Sequence, residues 1–326
     1  MKKVFCFGEV LIDFINTGTR SDGVQALNTF TQYPGGAPAN AAVAVSKLGG
    51  NAYFIGQVGN DPFGHFLIDA LNIYGVNTEL TAIHPQAKTA LAFVFLDENG
   101  ERSFAFHREN TADLVFNKNQ IKKEWFTADT IVHFCSNTLT DDLIAQTTQH
   151  LITSAHNKNA LISFDVNLRH NLWRGDAASI NLVNHFVQQA HMVKFAREEL
   201  DYLSGGTGSR SHEPYIKSCF EAGVKVILIT DGGNDVVIAL PSEQVSIAPP
   251  LVTAIDTTGG GDAFIGAVLF GLSQHSTPLQ MLEQLPLLKP LIAFAIHCGA
   301  ITITKHGAFP ALPTFEDVNQ HWSVSS

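Results

Sequence analysis

The segment Asp256–Phe264, DTTGGGDAF, is the most informative stretch of this 326-residue sequence. Its three consecutive glycines, Gly259, Gly260 and Gly261, precede a predicted helix from about Asp262 to Leu272. Because glycine has no Cβ, a ligand can approach the main chain closely at these positions. The free N–H groups of the turn and of the first helical turn, together with the helix dipole, favour a bound phosphate. The segment therefore predicts an anion hole.

Asp262 is the unexpected residue of this segment, since a carboxylate beside an anion site repels the anion. As a general base, it would take a proton from a hydroxyl group while the adjacent amides stabilise charge on a transferring phosphoryl group. The structural alternative is an aspartate that caps the N-terminus of the helix. The spacing alone leaves both interpretations open.

A second glycine motif, Gly35–Ala42 (GGAPANAA), lies near the start of the chain. Gly35 and Gly36 permit a sharp re-entry of the chain, and the proline that follows suits the first turn of a helix. Asn40 offers both donors and an acceptor, as binding of vicinal hydroxyl groups requires. A glycine turn into a closely packed helix of small residues is the structural alternative. The motif matches neither the Rossmann nor the Walker pattern.

Short apolar strands alternate with amphipathic helical segments along most of the chain. The predicted strands are Val4–Ile12, Thr130–Phe134, Ala160–Asp165, His191–Phe195 and Lys225–Thr230. Predicted helices cover Asp141–Asn157 and Ala178–Gln189. This alternation indicates an α/β fold whose mostly parallel sheet is covered on both faces.

Two segments, at about residues 14–36 and 89–108, lack this alternation and predict a small β-sheet lid inserted in a single domain of residues 1–326. The second segment predicts a hairpin that turns at Asn99-Gly100. A purely structural edge hairpin is the alternative. We expect the apolar lid face to be a homodimer surface. The aromatic residues assigned to that face are Phe93, Phe95, Phe104 and Phe106.

The charge balance excludes several classes of partner. The chain has 20 Lys and Arg against 30 Asp and Glu, which gives a formal net charge of −10. This disfavours sequence-independent nucleic-acid binding and attachment to anionic lipid. No apolar run approaches the roughly 18 residues of a transmembrane helix. The four cysteines are dispersed, as expected for reduced core thiols in a cytoplasmic protein.

Several polar residues follow predicted strands, where ligand sites of α/β sheets form. Asp13 follows the first strand, and Arg108 lies on the same face of the lid strand as Phe106. Beyond a buried strand, Asp165, Asn167 and Arg169 alternate and therefore share one face. Each has the alternative of a solvated loop residue. In VKFAREELDYL, Glu199 is a candidate ligand of Mg²⁺ or its waters, with a solvent-facing helix position as the alternative.

The two glycine motifs, in this order and at this separation, resemble the signature motifs of ribokinase-like (phosphofructokinase B-type) carbohydrate kinases. The segments FHRENTAD (Phe106–Asp113) and DVNLRHNLW (Asp165–Trp173) further resemble the fructokinase branch. The resemblance implies a ribokinase-like three-layer α/β/α fold with a small β-sheet lid. It also implies transfer of the γ-phosphate of ATP to the 6-hydroxyl of D-fructose, with Mg²⁺ and a K⁺ site.

Other substrates and one other class of protein stay open. Within the family, the acceptor sugar has the alternatives 2-keto-3-deoxygluconate, ribose and a riboside. A non-catalytic, sugar-sensing homologue is the alternative from a different class. A Rossmann-type oxidoreductase is disfavoured because no G-x-G-x-x-G follows the first strand.

The resemblance also implies roles for individual residues. Asp262 matches the catalytic base and Gly259–Gly261 the anion hole. The sugar and lid contacts match Asp13, Gly35, Gly36, Asn40, Phe106 and Arg108. The groups near the ATP phosphates and Mg²⁺ match Asn167, Arg169 and Glu199, and the nucleotide-binding strand end matches Thr230 and Gly232. A monovalent-cation site would include Asp256 and Thr258.

Three positions depart from the pattern of this family. Gly260 replaces the usual alanine of the glycine turn, and Ala196 replaces the usual Asn or Ser three residues before Glu199. Asp231 replaces an apolar residue before Gly232, for which the sequence offers no physical reason.

Overall fold

The structure is a computed structural model that describes residues 1–96, 102–173, 175 and 177–322. Its strands in chain order are β1 (Lys3–Phe7), β2 (Leu11–Ser21), β3 (Ala26–Gly35), β4 (Asn51–Gly59), β5 (Thr81–His84), β6 (Leu91–Leu96), β7 (Arg102–His107), β8 (Thr130–Cys135), β9 (Leu161–Asp165), β10 (Met192–Ala196), β11 (Val226–Thr230), β12 (Val236–Ala239) and β13 (Gln244–Ile247). The helices are α1 (Ala37–Lys47), α2 (Pro62–Ile73), α3 (Asp142–His156), α4 (Ile180–Val187), α5 (Arg197–Ser204), α6 (Ser209–Glu221), α7 (Gly260–Gln274), α8 (Pro278–Met281), α9 (Leu285–Thr302) and α10 (Phe315–Trp322).

The large sheet has nine strands in the order β13-β12-β11-β10-β9-β8-β1-β4-β5. All neighbours from β11 to β5 run parallel, whereas β12 is antiparallel to β11 and β13 is antiparallel to β12. The short connections after β11 and β12 permit antiparallel hairpins there, because only a parallel neighbour needs a long crossover. The prediction of a mostly parallel central sheet is confirmed.

Helices cover both faces of this sheet, which gives three layers. On one face, α1, α7 and α9 form a core with the strand side chains of Val4, Cys6 and Phe54. On the other face, α3, α4 and α5 pack over Phe5, Phe7 and their neighbours. Successive residues of β1 therefore point into different cores, as the two-residue period of a strand dictates. The α/β/α prediction is confirmed.

One predicted strand, Val4–Ile12, is wrong because it is divided between the two sheets. β1 ends at Phe7, and β2 begins at Leu11 in the smaller sheet. Gly8, with φ at 149°, begins the three-residue break that redirects the chain. Asp13 consequently lies within β2 rather than beyond the end of β1.

The smaller sheet has four strands in the order β3-β2-β6-β7. Its segments match the two predicted for the small β-sheet, although the predicted turn at Asn99-Gly100 lies outside the described residues. The assignment of four phenylalanines to one face is wrong. In the β6–β7 pairing, Phe106 is opposite Ala92, whereas Phe93 is opposite Ala105. Directly paired residues share a face, so Phe106 lies on the opposite face from Phe93 and Phe95.

Close packing of α1 against α7 fixes the position of the glycine turn that precedes α7. A Cβ added to Gly266 would lie 2.4 Å from the Ala44 Cβ and 3.0 Å from the Ala41 carbonyl oxygen. Both alanines and Gly266 are buried. The small residues of α1 therefore serve close helix–helix packing, which was the structural interpretation of this part of the sequence.

Replacing Gly266 with alanine should reduce the free energy of unfolding by about 1–3 kcal/mol, because the added methyl group overpacks the contact between α1 and α7. Urea titration followed by circular dichroism measures this. Gly233→Ala is the matched control, since nothing lies within 4 Å of its added Cβ. Equal losses in both variants would contradict the close contact.

Among the described helices, α9 alone is long and apolar enough to span a bilayer by its composition. In this fold α9 packs against α7 and α10, and its buried side chains belong to the core of the large sheet.

Candidate active site

A cleft of about 520 Å³ lies between the carboxyl ends of the large sheet's strands and the inner face of the smaller sheet. Side chains that follow β1, β8, β9, β10 and β11 meet here, as expected at this edge of a parallel sheet. Most of the predicted site residues line the cleft. They are Asp13, Gly36, Asn40, Phe106, Arg108, Asn167, Arg169, Glu199, Thr230, Gly232, Thr258, Gly259, Gly261 and Asp262.

Three predicted site residues, Gly35, Gly260 and Asp256, are not among the residues that line this cleft. An added Cβ on Gly35 would lie 2.0 Å from Asp13 Oδ2, so this glycine leaves room for that carboxylate. An added Cβ on Gly260 would lie 2.7 Å from Ile303 Cγ2, which places Gly260 against the chain that follows α9. Asp256 is buried, and its two oxygens accept hydrogen bonds from the backbone N–H groups of Thr258 and Gly307, at 2.8 and 3.1 Å.

The helix after the glycine turn begins two residues earlier than predicted. Gly259 is its N-cap, with φ at 76°, and Gly260 and Gly261 form part of the first turn. A left-handed φ of this kind strains most residues with a side chain but not glycine. Asp262 is thus the third helical residue, and the helix has no side-chain cap. The interpretation of Asp262 as an N-cap is therefore wrong.

The Asp262 carboxylate instead faces the cleft and accepts a hydrogen bond of 2.6 Å from Asn40 Nδ2. These two residues come from the two glycine motifs, 222 positions apart in the chain. Burial, aided by the Asp165 carboxylate, raises the pKa of Asp262 to about 6, against the lowering effects of Asn40, Arg169 and Lys194. A carboxylate with a pKa just below neutral is suited to accept a proton at physiological pH.

A second carboxylate in the cleft, Asp13, has an even higher pKa. Burial and the negative charges of Asp262, Glu9 and Asp256 raise it to about 7. Like charges close together disfavour ionisation of the whole set. The cleft therefore holds acidic groups that exchange protons in the physiological pH range.

Four buried polar atoms in the residues that line this cleft make no hydrogen bond within the described part of the chain. They are Glu9 Oε2, Asn40 Oδ1, Arg108 Nη1 and Asn137 Oδ1. A buried polar group without a partner costs about 1–3 kcal/mol. The set contains both acceptors and a donor, so it suits a ligand that offers several hydroxyl groups.

Arg108 connects these groups. The residue is 6% exposed, and its guanidinium donates from Nε to Asp113 Oδ2 at 2.6 Å and from Nη2 to the Asn137 carbonyl at 3.0 Å. Glu9 Oε2 lies 3.9 Å from Nη2. The Thr111 hydroxyl donates to the second oxygen of Asp113 at 2.6 Å. The arginine is thus held rigidly, with Nη1 free to bind a ligand.

On the other side of the cleft, Glu199 supports the loop that carries Asn167 and Arg169. Its two oxygens accept the backbone N–H groups of Leu168 at 2.6 Å and Ala196 at 2.7 Å. It is 5% exposed, so the alternative of a solvent-facing helix residue is wrong. Asn167 has φ at 39°, a left-handed conformation that asparagine tolerates better than most residues.

The unexplained Asp231 has a partner in the structure. Its carboxylate lies 3.6 Å from the Nε atom of Arg197, and Arg197 is the first residue of α5. Both side chains are about one-third exposed. Gly232 follows with φ at 53° and turns the chain at the end of β11. Asp231 therefore pairs with α5 across the carboxyl ends of β10 and β11.

Sequence reasoning missed three residues that line the cleft, Glu9, Asn137 and Lys194, and it missed Asp113, the partner of Arg108. Glu9 gave a signal because it interrupts the first apolar run, and Asp113 ends the segment Phe106–Asp113 that resembles the fructokinase branch. Lys194 stands alone as a charged residue within an apolar strand, a pattern that also marks a buried ion pair.

Comparisons with known proteins find similarity over almost the whole chain. The sequence profile of the family described as "pfkB family carbohydrate kinase" matches residues 1–314. "Probable fructokinase-5" of Arabidopsis thaliana is 34% identical over 317 residues, which are 97% of this chain and 96% of that protein.

Two solved structures are similar over almost their whole length. The fructokinase of Xylella fastidiosa with bound ATP has a TM-score of 0.90 and 33% identity, and the alignment covers 99% of both chains. A double mutant of the fructokinase of Vibrio cholerae O395, with fructose, ADP and potassium ion bound, has a TM-score of 0.87 and 32% identity over 98% of both chains.

Proposed function

Because the chain belongs to the pfkB family of carbohydrate kinases, we propose that it transfers the γ-phosphate of ATP to the 6-hydroxyl group of D-fructose. One observation carries the proposal: Asp262 lies at the glycine turn and is hydrogen-bonded to Asn40, one of the four residues with unpaired polar atoms. A proton acceptor, an anion site and a hydroxyl-binding surface thus meet in one cleft.

In this proposal the sugar lies against Asp13, Asn40 and Arg108, and the ATP phosphates lie at the N-terminus of α7. Asp262 takes the proton of the 6-hydroxyl group as its oxygen attacks the γ-phosphorus in line. The bond between that phosphorus and the bridging oxygen breaks, and ADP leaves. The free N–H groups at Gly259 and Gly261 stabilise the charge of the transferring group.

In this proposal Mg²⁺ would enter with the nucleotide, whereas K⁺ would have a site on the protein. In the described part of the chain, no group of three or more His, Cys, Asp or Glu side chains could hold a metal ion. This fits Mg²⁺ carried largely by the nucleotide's own oxygens and waters, where it neutralises charge. Glu199 would act through those waters. Asp256 and Thr258 are the residues that we propose for a K⁺ site.

We propose that the smaller sheet acts as a lid. Its strands place Leu11, Ile15, Val94 and Phe106 along the cleft, opposite the glycine turn. These side chains would exclude water from the γ-phosphate and so suppress ATP hydrolysis.

A coupled assay of ADP release with ATP and a panel of sugars tests the proposed function. The panel contains D-fructose, ribose, 2-keto-3-deoxygluconate, a riboside and a blank without sugar. We expect the highest kcat/KM with fructose and little ADP release in the blank. Preference for another sugar would assign a different substrate, and no release with any sugar would favour the sugar-sensing homologue.

The kcat/KM for fructose should fall as the pH drops through the interval from about 7 to about 6. Both relevant pKa values, about 7 for Asp13 and about 6 for Asp262, are raised, and both groups act in their ionised form. Activity is therefore present above this interval and lost below it. A pH–rate profile measures the change.

The variant Asp165→Asn should move only the lower part of this acid limb, the part set by Asp262, to lower pH, since the Asp165 carboxylate raises the pKa of Asp262. A wild-type profile that is flat across the interval would contradict the assignment.

We also propose a cytoplasmic homodimer that associates through the smaller sheet. On the face opposite the cleft, Phe30 lies edge-on to Phe93 and Phe95, with ring centroids 5.6 and 5.5 Å apart. This aromatic face supports the association. The buried cysteines support a reducing location. A monomer in sedimentation velocity would exclude the dimer.

A further inference from the structure

Lys194 is a buried cation that the steps above do not use. It lies in β10 between apolar residues and is 5% exposed. Its Nζ donates to both oxygens of Asp165, at 2.8 and 3.1 Å. Such pairs often add little stability over apolar replacements, so their presence calls for another reason.

The position of the ammonium group supplies that reason. Lys194 Nζ lies 3.7 Å from the point that a Cβ on Gly261 would occupy. Lys194, Gly261 and Asp262 all line the cleft. The ammonium group therefore lies directly beside the N-terminus of α7, where the backbone already favours an anion.

The carboxylates around Lys194 would repel a phosphate bound in the cleft, and the Lys194 ammonium group offsets their charge. Three carboxylates act on Lys194: Asp165 from β9, Glu199 from α5 and Asp262 from α7. Burial lowers the pKa of Lys194, but these carboxylates outweigh it and raise the pKa above its ordinary value. His133 lies on the neighbouring strand β8. Burial lowers its pKa to about 4, so this group adds no charge at neutral pH. Two other cationic residues line the cleft, Arg169 and Arg108, and Arg108 is paired with Asp113.

We propose that Lys194 contacts the transferring phosphoryl group of ATP and that Asp165 positions its ammonium group. This inference rests on the proposed kinase function. During transfer, the sugar oxygen gives its proton to Asp262 and forms a bond to the γ-phosphorus. The bond to the bridging oxygen breaks, and its electron pair leaves with ADP. Lys194 keeps its three protons throughout and stabilises the negative charge.

The alternative role is structural, in which Lys194 only balances the charge of Asp165. The double variant Lys194→Met/Asp165→Asn separates the two roles, because it removes both charges and leaves neither group buried alone. We expect it to fold, with a thermal midpoint near that of the wild type. Its kcat with fructose should fall by about 10²–10³-fold, as after loss of one oxyanion donor.

The single variant Asp165→Asn retains the cation and should lose less turnover than the double variant. If the double variant is as active as Asp165→Asn, the cation serves charge balance alone and the inference is overturned. Lys47→Met is a matched control, since its Nζ hydrogen-bonds the carbonyls of Phe309 and Pro310 at 3.3 Å, away from the cleft. It should leave turnover unchanged.

Calorimetric titration with ATP and with ADP, without sugar, gives a readout that does not depend on fructose. The double variant should lose more affinity for ATP than for ADP, because the proposed contact of Lys194 is with the γ-phosphate, which ADP lacks. Equal losses for both nucleotides, or none, would overturn the inference. A wild-type protein that binds ATP but does not phosphorylate fructose would instead reject the proposed function, and the titration would still test Lys194.

Discussion

Replacing Asp262 with alanine should lower kcat for fructose phosphorylation by about 10²–10⁴-fold, the range typical of losing a general base. The carboxylate is the proton acceptor of the proposed reaction, and it lies at the glycine turn within 2.6 Å of Asn40. Fructose affinity should change little, because Asp13, Arg108 and the unpaired atoms of Glu9 and Asn137 remain. Steady-state kinetics and fructose calorimetry measure the two effects separately.

The variant Asp262→Asn sharpens this test. Asparagine keeps the size of the side chain and an oxygen that can accept from Asn40, yet it cannot take the proton. Turnover should therefore fall as in Asp262→Ala. Because burial raises the pKa of Asp262 to about 6, the fold disfavours the ionised carboxylate, and the thermal midpoint of Asp262→Asn should be unchanged or higher. Near-normal turnover in either variant would end the base assignment.

Replacing Arg108 with methionine should lower the free energy of unfolding by about 3–5 kcal/mol, since removal of one partner leaves buried charge uncompensated. Asp113 and Glu9 are 4% and 2% exposed, and both lose their cation in this variant. The KM for fructose should also rise by about 10–100-fold, as expected for one lost hydrogen bond to a charged group. Urea unfolding and steady-state kinetics provide the two measurements.

Two further variants separate stability from sugar binding. Arg108→Met/Asp113→Asn should regain part of the lost stability but keep the raised KM, because the contact through Nη1 is still absent. Arg197→Met is the matched control. Its ion pair with Asp231 is 3.6 Å long and one-third exposed, so it should cost less than about 1 kcal/mol. An unchanged unfolding free energy in Arg108→Met would contradict the buried network.

Much of the fold followed from local sequence patterns. The alternation of apolar strands and amphipathic helices predicted a mostly parallel sheet with helices on both faces, and the structure confirms it. The break in that alternation located the smaller sheet. These signals are reliable because strand and helix periods depend only on residues a few positions apart.

The sequence-based predictions were wrong where a side chain's face or a strand's sheet depends on how distant segments pair. The aromatic residues of the β6–β7 hairpin were assigned to one face, but the register places Phe106 opposite Ala92 and thus away from Phe93. A shift of one residue reverses the face of every side chain, and the pattern of one strand does not fix the register. The apolar run Val4–Ile12 similarly gave no sign that it serves two sheets.

The sequence by itself determined the α/β/α layers and the two glycine motifs, and it named Asp262 and Asn40 separately as candidates for a base and for a hydroxyl-binding group. Only the tertiary structure decided what surrounds them. Glu9 and Asn137 meet although they lie 128 positions apart, and Lys194 on β10 reaches Gly261 at the start of α7. Such long-range contacts decide which side chains are buried and which buried polar groups lack a hydrogen-bond partner. The residues that complete the cleft are therefore recognised only when the strand ends come together in space.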